Sequence, residues 1–137
     1  MNKKLLLSVT FLFSLAPMAL SQYGGCRGVQ ELSGFLNLCN PLGILSILIF
    51  FAGVWLPLTQ KHAGTALCVL GSSGMVASEV YTFFTWHIQT ISGKLSLQTS
   101  LRLTYPEFYI GLAVSLFMVA ACFIIEKYVD TDTQTDI

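Results

Sequence analysis

Charged side chains are scarce in this sequence. Lys, Arg, Asp and Glu together make up 10% of its 137 residues, whereas 54% of the residues are hydrophobic. Soluble domains carry about 25% charged residues, and a soluble surface this poor in charge would aggregate. The seven basic and seven acidic residues balance, so no surface for nucleic acid is expected. The composition predicts a membrane protein of one domain.

Sequence motifs of catalysis are also missing. The chain has no CxxC pair, no phosphate-binding loop and no serine-nucleophile motif. The two histidines, His62 and His87, are predicted to lie on opposite sides of the membrane. We therefore expect no enzymatic activity, no cofactor and no metal.

Four apolar runs account for most of the chain, at residues 5–20, 42–59, 65–88 and 108–125. The last three are 18 to 24 residues long, enough for a helix to cross about 30 Å of hydrocarbon. Only a helix satisfies its own backbone hydrogen bonds there. The sequence predicts an all-α membrane protein, a left-handed four-helix transmembrane bundle with small extracellular loops.

The first run has two interpretations. Lys3 and Lys4 precede it, and "ALS" stands before Gln22, which is typical of a secretory signal peptide cleaved after Ser21. A retained first transmembrane helix would look nearly the same, and cleavage would leave a three-helix bundle. The expected organisation is therefore 1–21 as signal or first helix, 22–128 as the membrane bundle and 129–137 as an acidic cytoplasmic tail.

Both interpretations give one topology. The two lysines keep the start of the chain cytoplasmic, so residues 22–41 and 89–107 lie outside and residues 60–64 inside. We expect a multi-pass protein, most simply of the plasma membrane, with the C-terminus cytoplasmic and, if the first segment is retained, the N-terminus cytoplasmic too. An aromatic belt at the outer headgroups is predicted from Trp86, His87, Tyr105 and Tyr109.

The first outer loop contains Cys26 and Cys39. Paired cysteines are common in oxidising compartments, which predicts one disulfide here, with two unpaired thiols as the alternative. Cys68 and Cys122 fall inside apolar runs, where cysteine acts as a small apolar residue. In the second outer loop, the period-two leucines predict a short strand or hairpin, or else an irregular loop; these are Leu95, Leu97, Leu101 and Leu103.

Glu79 is a lone acid within the third apolar run. A carboxylate facing lipid there costs several kcal/mol, so the side chain is expected to face the bundle or to be protonated. We weigh two roles for it: a neutral carboxyl hydrogen-bonded to a neighbouring serine or backbone group, or a proton or cation site. Small residues nearby, such as Gly74 and Ser78, predict close helix packing.

Two stretches resemble the claudin superfamily, which includes the epithelial membrane proteins, the clarins and the calcium-channel gamma subunits. "LGSSGMVASEVYTFF" (residues 70–84) is similar to the third helices of that superfamily, and "YPEFYIGLAVSLF" (residues 105–117) to the entry of its fourth. The resemblance covers residues 26–128. It implies a loop disulfide between Cys26 and Cys39 and, since the first loop is short and without Trp, an accessory or adhesion-type role.

The acidic tail ends in Thr135-Asp136-Ile137, a Ser/Thr-x-aliphatic end that can add a strand to a PDZ domain. The expected partners are therefore the bilayer, a channel, receptor or junction protein, and a PDZ protein that holds Thr135 and Ile137. The alternatives to this accessory role are a small transporter or proton-linked subunit using Glu79, and a bacterial secreted-pathway membrane subunit.

Overall fold

The computed structural model describes residues 2–25, 27–28, 30–56 and 62–129. Within them the chain is mostly helical, with five α-helices. These are α1 (Lys3–Leu15), α2 (Pro41–Trp55), α3 (Ala63–Thr85), α4 (Leu97–Arg102) and α5 (Pro106–Val129). Short 3-10 helices span Ala16–Ala19 and Gly34–Leu38, and a π-helical turn spans Ile88–Ser92.

The two longest helices, α3 and α5, have 23 and 24 residues and are apolar enough to cross a membrane. The other two long elements are shorter than the sequence predicts. Helix α2 has 15 residues, about 22 Å at 1.5 Å per residue, and α1 gives way to a 3-10 turn at Pro17. The described residues thus contain two helices of spanning length, and four spans stay a prediction.

Helices α1, α2, α3 and α5 pack against one another, with α2 on α3, α3 on α5 and α1 on α5. Glycines set the closest approach, because a Cβ on Gly71 would lie 2.5 Å from Phe50 N and one on Gly53 would lie 2.6 Å from Gly64 O. The predicted close packing of small residues is therefore present between α2 and α3. A large apolar core lies between the helices, and its buried members include Leu7, Phe11, Met18, Phe50, Met75 and Ile125.

The two ends of the helices differ, and we name them by what they carry. The loop end holds a two-stranded antiparallel sheet, β1 (Ser21–Tyr23) and β2 (Leu32–Ser33), together with α4. The two loops that the sequence places outside meet here, since Tyr105 N donates to Gln22 O and Gly24 N donates to Leu103 O. The terminal end holds the first residues of α1 and α3 and the last turn of α5.

The second outer loop is helical where we predicted a strand or hairpin. Ser96 caps α4 by accepting a hydrogen bond from Thr99 N, and Leu97 and Leu101, four residues apart, are both exposed on it. The period-two pattern is wrong for this stretch because the serine cap and the i, i+4 spacing favour a helix. One isolated bridge, between Tyr23 and Thr104, is the loop's strand-like contact with β1.

Candidate functional site

A buried polar network fills the loop end, and Asn37 is its centre. The 3-10 helix Gly34–Leu38 places this side chain in the interior with none of its surface exposed. Its Nδ2 donates to Gln22 Oε1 at 2.8 Å, and its Oδ1 accepts from the Tyr23 hydroxyl at 2.5 Å. Gln22 Nε2 in turn donates to Pro17 O at 3.1 Å. These neutral hydrogen bonds join β1 and the 3-10 helix Gly34–Leu38 to the turn at Pro17 that follows α1.

Asn40 connects this network to the helices. Its Oδ1 accepts from Gly43 N at 2.8 Å and so caps α2, and the following Pro41 suits the first helical position. Its Nδ2 lies 2.8 Å from Ser78 Oγ and 3.2 Å from Thr82 Oγ1 on α3. Ser78 also donates to the backbone oxygen of Asn37. One asparagine therefore fixes the start of α2 against the middle of α3.

Glu79 on α3 makes a buried polar contact with α5. It is 1% exposed, and its Oε1 accepts from Ser115 Oγ at 2.5 Å. The other carboxyl oxygen, Oε2, is buried and has no hydrogen-bond partner in the described part of the chain. The side chain thus faces other helices, with a serine of a neighbouring helix as the partner of one oxygen.

The His87 side chain points into the protein and does not contribute to the exposed surface of the predicted aromatic belt. It is completely buried, with Nδ1 at 2.7 Å from Ser92 Oγ and Nε2 at 2.8 Å from Ser100 Oγ. Trp86 beside it is also largely buried, against the Tyr23 ring. Burial lowers the pKa of the His87 imidazole. The histidine joins the π-helical turn to α4, which the sequence pattern did not show.

The cysteines give no disulfide among the described residues. Cys39 is exposed and free, with its Sγ 3.3 Å from Phe35 O, while Cys26 lies outside the described residues. The pairing of Cys26 with Cys39 therefore stays a prediction without structural support. Cys68 and Cys122 are free and fully buried, as expected of apolar cysteines.

Charged groups gather instead at the terminal end. Lys3 Nζ lies 2.9 Å from Glu126 Oε2, which ties the start of α1 to the last turn of α5. The His62 imidazole contacts the other oxygen of the same carboxylate. This cluster brings three helices together. The tail that follows α5, including Thr135 and Ile137, lies outside the described residues.

The geometry shows a buried polar scaffold. No three His, Cys, Asp or Glu side chains converge as a metal-binding group in the described ranges. Among the buried polar residues, the sequence analysis identified Glu79 but missed Asn37 and Gln22. A local signal was present in the Asn40-Pro41 pair, which is typical of a capped helix start and marks the beginning of α2.

Comparisons with protein-family models, with curated proteins and with solved structures find no match to this chain. The resemblance to the claudin superfamily therefore stays a prediction from the two stretches that carry it.

Proposed function

We propose that this chain is a multi-pass integral membrane protein that acts as an accessory or adhesion-type subunit through lateral contacts with other membrane proteins. In this proposal α1, α2, α3 and α5 form a left-handed claudin-like transmembrane bundle of the plasma membrane. The loop end faces outside. The tail is cytoplasmic, where Thr135 and Ile137 can bind a PDZ domain.

The observation that carries this proposal is the outward face of α3. Its exposed residues include Ala66, Leu70, Ser73 and Ala77, spaced three or four apart, so they lie on one side of the helix. Three of the four are small, and small residues let helix backbones approach closely in lipid. The proposal assigns this face to a transmembrane helix of the partner.

A groove between α3 and α5 runs beside the outward face of α3. It has a volume of about 480 Å³, and Ala66 and Ser73 line it on one side with Phe123 on the other. Leu70 and Phe123 are 58% and 59% exposed at its walls. A partner helix that packed here would cover these side chains and fill the groove.

The packing of α1 favours a retained first helix. Leu7 and Phe11 are buried in the large apolar core, and Phe11 packs edge-on against Phe50 at 5.1 Å. Cleavage after Ser21 would uncover this core and remove the Lys3–Glu126 ion pair. The intact mass of the purified protein measures this directly: we expect a chain that retains Lys3 and Lys4.

Site-specific photo-crosslinking tests the lateral role. A photoreactive phenylalanine analogue would replace Ser73 on the proposed face, and a matched control would carry it at Leu48, which is 59% exposed on α2. We expect discrete protein adducts in cell membranes from position 73 and none from position 48. Adducts with lipid alone at position 73, or equal protein adducts at both, would contradict the proposal.

A second candidate role, in proton or cation coupling, is supported by Glu79 Oε2. A buried carboxyl oxygen without a hydrogen-bond partner is unusual, and a proton or small cation would satisfy it. We expect Glu79→Gln to abolish pH-driven proton uptake into vesicles that contain the protein if this role operates. Uptake that is unchanged in the variant, or no uptake by the original protein, rules the role out.

A further inference from the structure

A second cavity, separate from the α3–α5 groove, opens at the terminal end. It has a volume of about 490 Å³ and lies between the start of α1, the end of α2 and the start of α3. Lys3 and Lys4 line it on one side, and Trp55 and Thr65 line it elsewhere. The remaining wall combines the apolar side chains of Leu7, Val54 and Leu56 with Asn2, Gly53 and Gly64, so the cavity is amphipathic.

Two helix N-termini meet at this cavity. Helix α1 begins beside it, and the Asn2 side chain accepts a hydrogen bond from one backbone amide there, that of Lys4. Helix α3 begins with His62 as its N-cap residue, without a side-chain cap, and Gly64 lines the cavity. The positive ends of both helix dipoles therefore lie next to it, where an anion is stabilised.

Side chains add to this positive potential. Lys4 is exposed at the rim, whereas the charge of Lys3 is shared with Glu126 at 2.9 Å. The Thr65 hydroxyl is buried beside the cavity. It lies near the Glu126 carboxylate and lines the cavity wall.

We propose that this cavity binds the phosphate-bearing headgroup of an anionic phospholipid. The phosphate would lie between Lys4 and the amides that begin α1 and α3, with the glycerol and the first acyl carbons against Leu7, Val54 and Trp55. This inference rests on the proposed membrane placement, with the terminal end cytoplasmic, because anionic lipids are concentrated in the cytoplasmic leaflet. A lipid is preferred to free phosphate because Leu7, Val54 and Trp55 form an apolar part of the cavity wall.

Trp55 provides a fluorescent reporter for the test. The chain has two tryptophans, so Trp86→Phe leaves Trp55 as the single indole. The full-length variant in neutral detergent would be titrated with short-chain phosphatidylserine, with phosphatidylcholine of the same chain length, and with inorganic phosphate. We expect a saturable change in Trp55 emission with phosphatidylserine only. Equal responses to both lipids, or saturation by inorganic phosphate, would overturn the assignment.

Two charge variants at the same end sharpen the test. Lys4→Gln removes the exposed charge from the cavity, and we expect the half-saturating phosphatidylserine concentration to rise about fivefold, since a basic residue near an anionic surface contributes about 1 kcal/mol. Lys4→Arg should restore binding. Lys127→Gln is the matched control, because Lys127 lies on α5 over the Tyr128 ring and does not line the cavity. An equal loss in the control would show general electrostatic attraction and no built site.

Native mass spectrometry of the unsubstituted protein repeats the measurement without the Trp86 change. We expect one retained phosphatidylserine per chain, lost in Lys4→Gln and kept in Lys127→Gln. Because both measurements are made in detergent, their outcome does not depend on a partner protein. A failed crosslink at Ser73 together with bound lipid would contradict the lateral role alone.

Discussion

The loop end and the terminal end hold the same helices together by different chemistry. At the loop end, neutral side chains such as Asn37 and Tyr23 are fully buried and hydrogen-bonded to one another. At the terminal end, Lys3 and Glu126 form an ion pair whose side chains are 22% and 29% exposed. Buried neutral networks resist salt, whereas partly exposed pairs are screened by it. Salt should therefore have little effect on the contacts of the loop end and should weaken those of the terminal end.

The largest expected effect comes from breaking the neutral network at its centre. Asn37→Leu keeps the approximate shape but leaves the Tyr23 hydroxyl and Gln22 Oε1 without partners. Each unsatisfied buried group costs about 1–3 kcal/mol, so we expect the free energy of unfolding to fall by about 2–6 kcal/mol in total. SDS-induced unfolding in mixed micelles, followed by circular dichroism, measures it. The exposed Gln30→Leu serves as the control, and an equal loss there would refute the central role of Asn37.

We expect His87, at the loop end, to make the folding stability depend on pH. Burial lowers its pKa in the folded protein, so the unfolded chain takes up a proton first as the pH falls below about 6.5. Folded-state stability should therefore be complete above that pH and decrease between it and the lower folded pKa, by about 1.4 kcal/mol for each pKa unit of difference. Thermal unfolding from pH 7.5 to 5 measures this. A slope that persists in His87→Asn would assign the effect to another group.

Breaking the terminal ion pair should cost less. Glu126→Gln removes the charge that Lys3 and His62 share, and partly exposed pairs contribute about 0.2–1 kcal/mol. We expect a loss in that range at low ionic strength which disappears in about 1 M salt, where the screening length is about 3 Å. The same SDS titration at two salt concentrations measures it. A loss above that of Asn37→Leu would reverse the comparison between the two ends.

The smallest effect is expected at the rim of the loop end. The Tyr105 hydroxyl donates to Glu31 Oε1 at 3.0 Å in an exposed position, and this contact raises the pKa of the phenol. Surface changes of this kind stay within about 0.5 kcal/mol, so Tyr105→Phe should leave the unfolding curve nearly unchanged. A spectrophotometric titration should show one exposed tyrosine fewer in that variant, while the buried Tyr23, whose pKa is raised by burial, still titrates late.

Much of the helical framework could be predicted because long apolar runs have few alternatives in a membrane. The limits of α3 and α5 agree with the predicted runs to within about four residues, which is the usual uncertainty of such boundaries. The inward placement of Glu79 followed from the cost of exposing an acid to lipid. The end of α1 was predicted less well, since Pro17 stops regular α-helix inside an apolar run.

The network itself could not be predicted, because its partners are distant in the sequence. Ser115 lies 36 positions from Glu79, and Ser78 lies 41 positions from Asn37. The hydrophobic periodicity of a single segment does not predict contacts between such distant residues. The helical second loop was missed for another reason: over five or six residues, alternating leucines and leucines four apart overlap, and the cap at Ser96 decided between them.

The Lys3–Glu126 pair has a consequence for how the protein folds during its synthesis. Its two residues are 123 positions apart, and α1 packs along α5. A ribosome adding about 5–20 residues per second needs roughly 6 to 25 s to bridge that interval. During this time the first helix exists without the last one, and the face of α1 that packs on α5 is open to other chains. Assembly of the molecule is thus completed only when its final helix has been synthesised.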